Sequence, residues 1–180
     1  MNNISEADFE DLKDNNVDVE KGEVIAQESR ELPAVQLRPV DSTNWKCLVD
    51  MSIPAEQEEF VAENWYALLE WKFAENPDNI RPFCVYGGEV PVGFITYALD
   101  RDMHRWVITR LMVDAKHQGM GYGKASLISL FDIVRDTLGN IAFYTYVDPQ
   151  NEAALRLCEG VGLLKTGEEL WNEEVMRIML

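Results

Sequence analysis

After Pro33 the apolar residues first recur at every second position, with Val35 and Leu37 on one face of residues 34–39, which predicts a strand. Asp41, Ser42, Thr43 and Asn44 then offer caps for a short helix from Trp45 to Met51. Pro54 is placed to open a second helix, with Glu56, Glu58 and Glu59 where the helix dipole favours acids. Its apolar residues Phe60, Trp65, Leu68, Leu69 and Phe73 fit helical spacing loosely, which predicts cover on two faces and an end before Pro77. A hairpin follows, Pro82 to Tyr86 and Pro91 to Leu99 around Gly87-Gly88-Glu89, with Trp106 to Val113 as its next antiparallel neighbour.

From Gly123 the spacing lengthens to that of a helix, with Leu127, Leu130, Phe131, Val134 and Leu138 in one stripe and Gly139-Asn140 at its end. Ile141 to Val147 is almost wholly apolar and aromatic, the pattern of a central strand reached by a helical crossover. A last helix begins near Pro149 and runs to about Gly160, with Ala154, Leu155 and Leu157 inward. Leu163 to Thr166 and Val175 to Leu180 form a closing pair around Asn172. This order predicts an α/β (α+β) domain: a mixed, mostly antiparallel sheet of about seven strands flanked by four helices, with one parallel pairing in its middle.

Composition adds an appendage. Residues 1–33 hold ten acids (Glu6, Asp8, Glu10, Asp11, Asp14, Asp18, Glu20, Glu23, Glu28 and Glu31) against Lys13, Lys21 and Arg30. We therefore divide the chain into an acidic N-terminal arm, 1–33, and a domain, 34–180. Ser5 with Asp8 offers a cap for a short helix carrying Phe9 and Leu12, and Val24-Ile25 could anchor the arm; a solvated tail is the competing reading.

The net charge of −16 argues against nucleic-acid and membrane partners and for a small cationic one. The acidic N-terminus lacks the positive charge and apolar core of a signal peptide, and no apolar run is long enough to span a membrane, which predicts a cytoplasmic protein. Cys47, Cys84 and Cys158 show no CxxC spacing, so neither a disulfide framework nor a metal site is expected.

The chemistry concentrates where the strand ending at Val113 turns through Gly119, Gly121 and Gly123 into a helix. Such a turn points unpaired N–H groups and a helix dipole at one place, which suits phosphate. Two phosphate motifs fail on residue identity. A P-loop would need Gly where Gln118 stands and a hydroxyl where Ala125 stands, and the dinucleotide fingerprint would need its third glycine two residues further on.

Gln118, Gly121 and Gly123 do match Gln/Arg-x-x-Gly-x-Gly/Ala, and Asn151, Ala154, Leu157, Glu159 and Gly162 match Asn-x-x-Ala-x-x-Leu-Tyr-Glu-x-x-Gly-Phe. The chain thus resembles the GCN5-related N-acetyltransferase (GNAT) family. Glu56-Gln57, Phe60-Val61-Ala62, Asn64, Lys72-Phe73, Val92 to Ile95 and Arg110 to Val113 resemble its bacterial diamine and spermine/spermidine branch.

The resemblance implies acetyl-CoA as co-substrate, with its pyrophosphate on Gln118, Gly119, Met120, Gly121, Tyr122, Gly123 and Lys124. It implies pantetheine paired with the backbones of Leu111, Met112 and Val113 and touched by Asn151, and no metal. Dimers are common in such families. Cys158 stands where the family has the Tyr that protonates the departing thiolate, and Thr109 where branch members often have Asp.

Tyr144 or Tyr146 could supply that proton instead. For the base that must deprotonate an amine of pKa about 10, Glu56, Glu59, Glu63 and Asp148 are candidates. His104 and His117 suit a turn and the phosphate loop better than acid-base work. Direct acetyl transfer to a polyamine such as spermidine or spermine is the leading expectation. Another amine acceptor, such as a peptide N-terminus or an aminoglycoside, and a weakened acetyl-CoA-sensing module are the alternatives.

Overall fold

The structure is a computed structural model that describes residues 31–180, and Glu31–Leu180 fold as a single unit. Nearly all of the acidic arm, including Phe9, Leu12 and Val24-Ile25, lies outside the described residues.

The predicted order holds: β1 (Gln36–Pro39), α1 (Trp45–Val49), α2 (Asn64–Phe73), β2 (Ile80–Gly87), β3 (Val90–Asp100), β4 (Arg105–Val113), α3 (Tyr122–Leu138), β5 (Ala142–Val147), α4 (Glu152–Glu159), β6 (Leu164–Leu170) and β7 (Glu173–Met179). The strands form one sheet in the order β1-β2-β3-β4-β5-β7-β6, antiparallel everywhere except between β4 and β5.

Both faces of the sheet are covered. Leu127, Leu130, Phe131 and Val134 of α3 pack with Phe83, Ile95, Tyr97, Ile108 and Phe143 in the larger core. On the other face Leu48 of α1 and Ala67, Leu68 and Trp71 of α2 pack against Cys84 and Phe94. Phe94 and Phe143 are fully buried, and each such side chain contributes about 2–3 kcal/mol through removal from water.

The helix predicted from Pro54 is interrupted. A 3-10 turn, Ala55–Gln57, leads through an irregular segment to α2, which starts only at Asn64. Tertiary contacts outweigh local propensity here. The Arg110 guanidinium donates to the Ala62 carbonyl, and the buried Asn64 amide donates to Leu48 O at 2.9 Å. The prediction of two covered faces also fails, because Trp65, Tyr66, Leu69 and Phe73 are exposed and only the Ala67-Leu68-Trp71 side meets the core.

Two irregularities matter for the site. The β3–β4 register runs from Thr96 opposite Arg110 to Tyr97 opposite Ile108, so Thr109 is the extra residue of a bulge. The parallel β4–β5 pairing covers only Trp106, Val107 and Ile108 against Phe143, Tyr144 and Thr145. Beyond those three pairs the strands part and leave a wedge in the sheet. A bulge bends its strand and ends regular pairing, which accounts for the parting at Thr109.

Candidate active site

The wedge is the mouth of a cleft of about 490 Å3. β4 supplies Ile108, Thr109, Arg110, Leu111 and Val113 to one wall; β5 and its continuation supply Thr145, Tyr146, Val147 and Asp148 to the other. The segment from Gln57 to Ala62, the glycine turn with the start of α3 and the inner side of α4 line the rest, and Glu173 at the head of β7 completes it.

The glycine turn has the shape the sequence predicts. Gly119 and Gly121 have φ of +73° and +88°, a conformation that a side chain disfavours. Gly121 is the N-cap of α3, and no side chain caps that end. The first N–H groups of a 17-residue helix are thus left for a ligand, and Gly121, Tyr122, Gly123 and Lys124 line the cleft. A Cβ on Gly123 would stand 3.2 Å from Leu157 Cδ2, so glycine lets α4 close against this turn. An anion-binding helix start beside a long wedge with unpaired strand edges fits a phosphate-bearing, extended ligand such as coenzyme A.

Several predicted residues play a more particular part. The Gln118 side chain does not reach for phosphate: its Nε2 donates to Val113 O at 2.9 Å and to Gln57 Oε1 at 2.9 Å. It fixes the loop to the end of β4. Asn151 caps α4, its Oδ1 accepting from Ala154 N at 3.1 Å, while the residue lines the cleft. Leu111 and Val113 line the wedge. Met112 alternates to the other face, where it is buried beside Asn64, so it can offer the cleft only backbone.

Three of the expected residues stand outside the cleft lining. Met120 is exposed at the tip of the loop and lines no part of the cleft. Tyr144 is also absent from the lining; the Arg105 guanidinium lies 4.7 Å from its ring centroid. Glu63 is turned to its own neighbour, accepting from Trp65 Nε1 at 2.7 Å just before α2, and does not reach the cleft.

Tyr146, two residues beyond Tyr144 on the same face of β5, does line the cleft. Its hydroxyl donates to Asp100 Oδ2 at 3.1 Å, and its phenol is pushed up to about 12 by burial and then by that carboxylate. Cys158 is buried in the floor, with its thiol pushed up to about 11 chiefly by burial. It keeps its proton at neutral pH and is no thiolate nucleophile.

Thr109 faces the cleft with its hydroxyl shared with Thr96 Oγ1 at 2.9 Å. His117 sits edge-on to Tyr122, the ring centroids 6.0 Å apart, at the phosphate end; His104 is exposed in the β3–β4 turn. Among the described residues no cluster of three or more His, Cys, Asp or Glu could hold a metal, and no helix is long and apolar enough to cross a membrane.

Glu173, also in the lining, carries no sequence motif. Only the β5–β7 pairing, with Tyr146 opposite Val175 and Val147 opposite Glu174, brings it beside Asp148. The Trp171-Asn172 turn that starts β7 is the one local signal, since both residues have positive φ and fix the hairpin register.

A family model described as the acetyltransferase (GNAT) family matches residues 45–163. No curated protein matches the sequence. Among solved structures, a spermidine N-acetyltransferase from Vibrio cholerae, in complex with CoA and spermine, superposes with a TM-score of 0.63 at 17% identity, covering 81% of this chain and 95% of that one. An aminoglycoside acetyltransferase in complex with coenzyme A gives 0.65 at 16% identity, with 82% and 94% covered. A domain from Methanocaldococcus jannaschii gives 0.65 at 14%, with 82% and 99% covered. The family match over most of the domain, joined to a glycine turn at the head of α3 and a sheet split beside it, establishes that this chain belongs to the GNAT family of acetyltransferases, enzymes that use acetyl-CoA.

Proposed function

We propose that the chain acetylates a small polycationic amine of the spermidine and spermine type, by direct transfer from acetyl-CoA. The observation that carries this is the charge where β5 ends beside β7: Asp148 and Glu173 are the carboxylates lining the cleft, in a protein of net charge −16. A polycation gains from both the local pair and the surrounding field. Arg110 on the opposite wall is engaged with Ala62 O and Asn64 Oδ1, and holds the segment before α2 rather than an acidic acceptor. The polyamine-bound Vibrio cholerae neighbour supports the same class.

In this reading the pyrophosphate rests on the N–H groups at Gly119, Gly121, Tyr122, Gly123 and Lys124, and pantetheine lies in the wedge against the backbone of Leu111, Met112 and Val113, with Asn151 alongside. The buried, protonated Cys158 supports transfer without a covalent enzyme intermediate. Use of acetyl-CoA supports a cytoplasmic setting.

The test is a panel of amines (spermidine, spermine, putrescine, an aminoglycoside and a peptide with a free N-terminus) with release of free coenzyme A as the readout. Highest kcat/KM for a polyamine is expected. A clear preference for the aminoglycoside or the peptide overturns the acceptor class, and absence of saturable acetyl-CoA binding overturns the whole reading.

A further inference from the structure

We propose that Glu173 is the general base that takes the proton from the acceptor amine. The role rests on acetyl transfer to an amine, and not on which amine is used.

The argument begins with what the cleft offers. An amine of pKa about 10 arrives as an ammonium ion and must lose a proton before its lone pair can attack. The titratable and charged groups lining the cleft are Arg110 on β4, His117, Tyr122 and Lys124 at the cradle, Tyr146 and Asp148 on the β5 side, Cys158 in the floor and Glu173. Arg110 and Lys124 are cations. Tyr146 and Cys158 hold their protons through neutral pH. His117 packs edge-on against Tyr122 beside the phosphate turn. The bulge hydroxyl of Thr109 is shared with Thr96 and carries no charge. Two carboxylates remain.

They are not equivalent. Asp148 is already engaged, its Oδ1 accepting a 2.8 Å hydrogen bond from Gln150 N in the turn after β5. Glu173 has no hydrogen bond or ion pair among the described residues, whereas its neighbour Glu174 is paired with Lys165 at 3.2 Å. Glu173 is half-buried in the cleft wall, and burial and then the charge of Asp148 push its carboxyl upward, toward the range that suits a base.

The protons and electrons balance without a further reactant. The ammonium gives one proton to the Glu173 carboxylate. The freed lone pair forms the C–N bond at the thioester carbon while the carbonyl π pair moves to oxygen. That pair returns as the C–S bond breaks, the thiolate takes the second nitrogen proton, and Glu173 releases the first to solvent.

The test compares the pH dependence of kcat/KM in wild type, Glu173→Gln, Glu173→Asp and Asp148→Asn, using whichever amine the panel selects, so a wrong acceptor class leaves the measurement intact. Wild type should show a plateau between the Glu173 titration and that of the amine. Glu173→Gln should lose about 100-fold or more at neutral pH and rise about tenfold per pH unit, because only free amine can then react. Glu173→Asp should keep the plateau at a lower rate, and Asp148→Asn should move its acid edge to lower pH. Coenzyme A affinity, measured by calorimetry, should stay within about twofold in Glu173→Gln, which shows that the fold is intact. A Glu173→Gln profile parallel to wild type, or a rise in KM with kcat and profile unchanged, overturns the proposal, the latter making Glu173 a cation anchor instead.

Discussion

Gln57 and Gln118, 61 residues apart, exchange two amide hydrogen bonds of 3.0 and 2.9 Å, and Gln118 uses the same Nε2 to hold Val113 O. One side-chain pair thereby ties the segment before α2, the end of β4 and the start of the glycine turn together. Gln118→Ala should cost about 1–2 kcal/mol of stability, since it leaves half-buried amide groups without partners. A thermal or denaturant double-mutant cycle with Gln57→Ala should show coupling of about 0.5–1.5 kcal/mol. Strictly additive losses would mean that the two amides act independently. Coenzyme A binding should weaken in both single variants, because the turn loses its anchor.

Gly121 combines a φ of +88° with a neighbour that a side chain would crowd: its Cβ would stand 3.1 Å from Pro33 Cδ. Gly119, at +73°, has open space around it. Both alanine variants should be strained by about 1–2 kcal/mol, with Gly121→Ala the worse because Pro33 must also shift. Isothermal titration with coenzyme A and a melting curve for each variant would check this. A Gly121→Ala protein that binds and melts like wild type would show that the turn does not depend on this backbone conformation.

The Tyr146 hydroxyl donates to Asp100, and its phenol is pushed up to about 12 from the ordinary value of 10.0. A raised pKa means that the folded protein holds this proton more tightly than the unfolded chain. The associated stability is complete below pH 10 and is lost as pH rises through about 12. Asp100→Asn removes the negative charge and one of the two acceptor oxygens that disfavour phenolate, so the Tyr146 titration should move to lower pH. The phenolate absorbance of Asp100→Asn minus that of Asp100→Asn/Tyr146→Phe isolates the group. A midpoint unmoved from wild type would mean that burial alone sets it.

Cys158 lines the cleft floor with its thiol pushed up to about 11. As the thiol is neither an available thiolate nor a strong acid, Cys158→Ala should leave kcat within about threefold at neutral pH. Alkylation by iodoacetamide should likewise be slow at pH 7.5 and quicken above pH 9. A hundredfold fall in kcat for the alanine variant would show that the sulfur takes part after all. Cys158→Tyr is the complementary probe, and a large gain in kcat would reveal that the native floor lacks a useful proton donor.

Local patterns were enough for much of this molecule. The apolar runs of β2, β3 and β4 with their glycine-marked turn, the helical stripe Leu127-Leu130-Phe131-Val134 and the glycines before α3 each act through near neighbours, so the sheet, its crossover and the phosphate cradle were legible along the chain. The same holds for Gln118, Gly121, Gly123 and Asn151 as markers of the family, although Gln118 and Asn151 prove to work through structural hydrogen bonds.

Tertiary structure decided what depends on distant partners. The reach of Arg110 to Ala62 accompanies the break in the helix expected from Pro54, and the bulge at Thr109 opens the wedge that admits a ligand. Between two tyrosines of equal pattern on β5, packing covers Tyr144 with Arg105 and turns Tyr146 to the cleft. Glu173 stands next to Asp148 only because β7 returns antiparallel beside β5. Periodicity records which side of an element is apolar, whereas the meeting of side chains from separate strands depends on register, and register exists only once the whole sheet has formed.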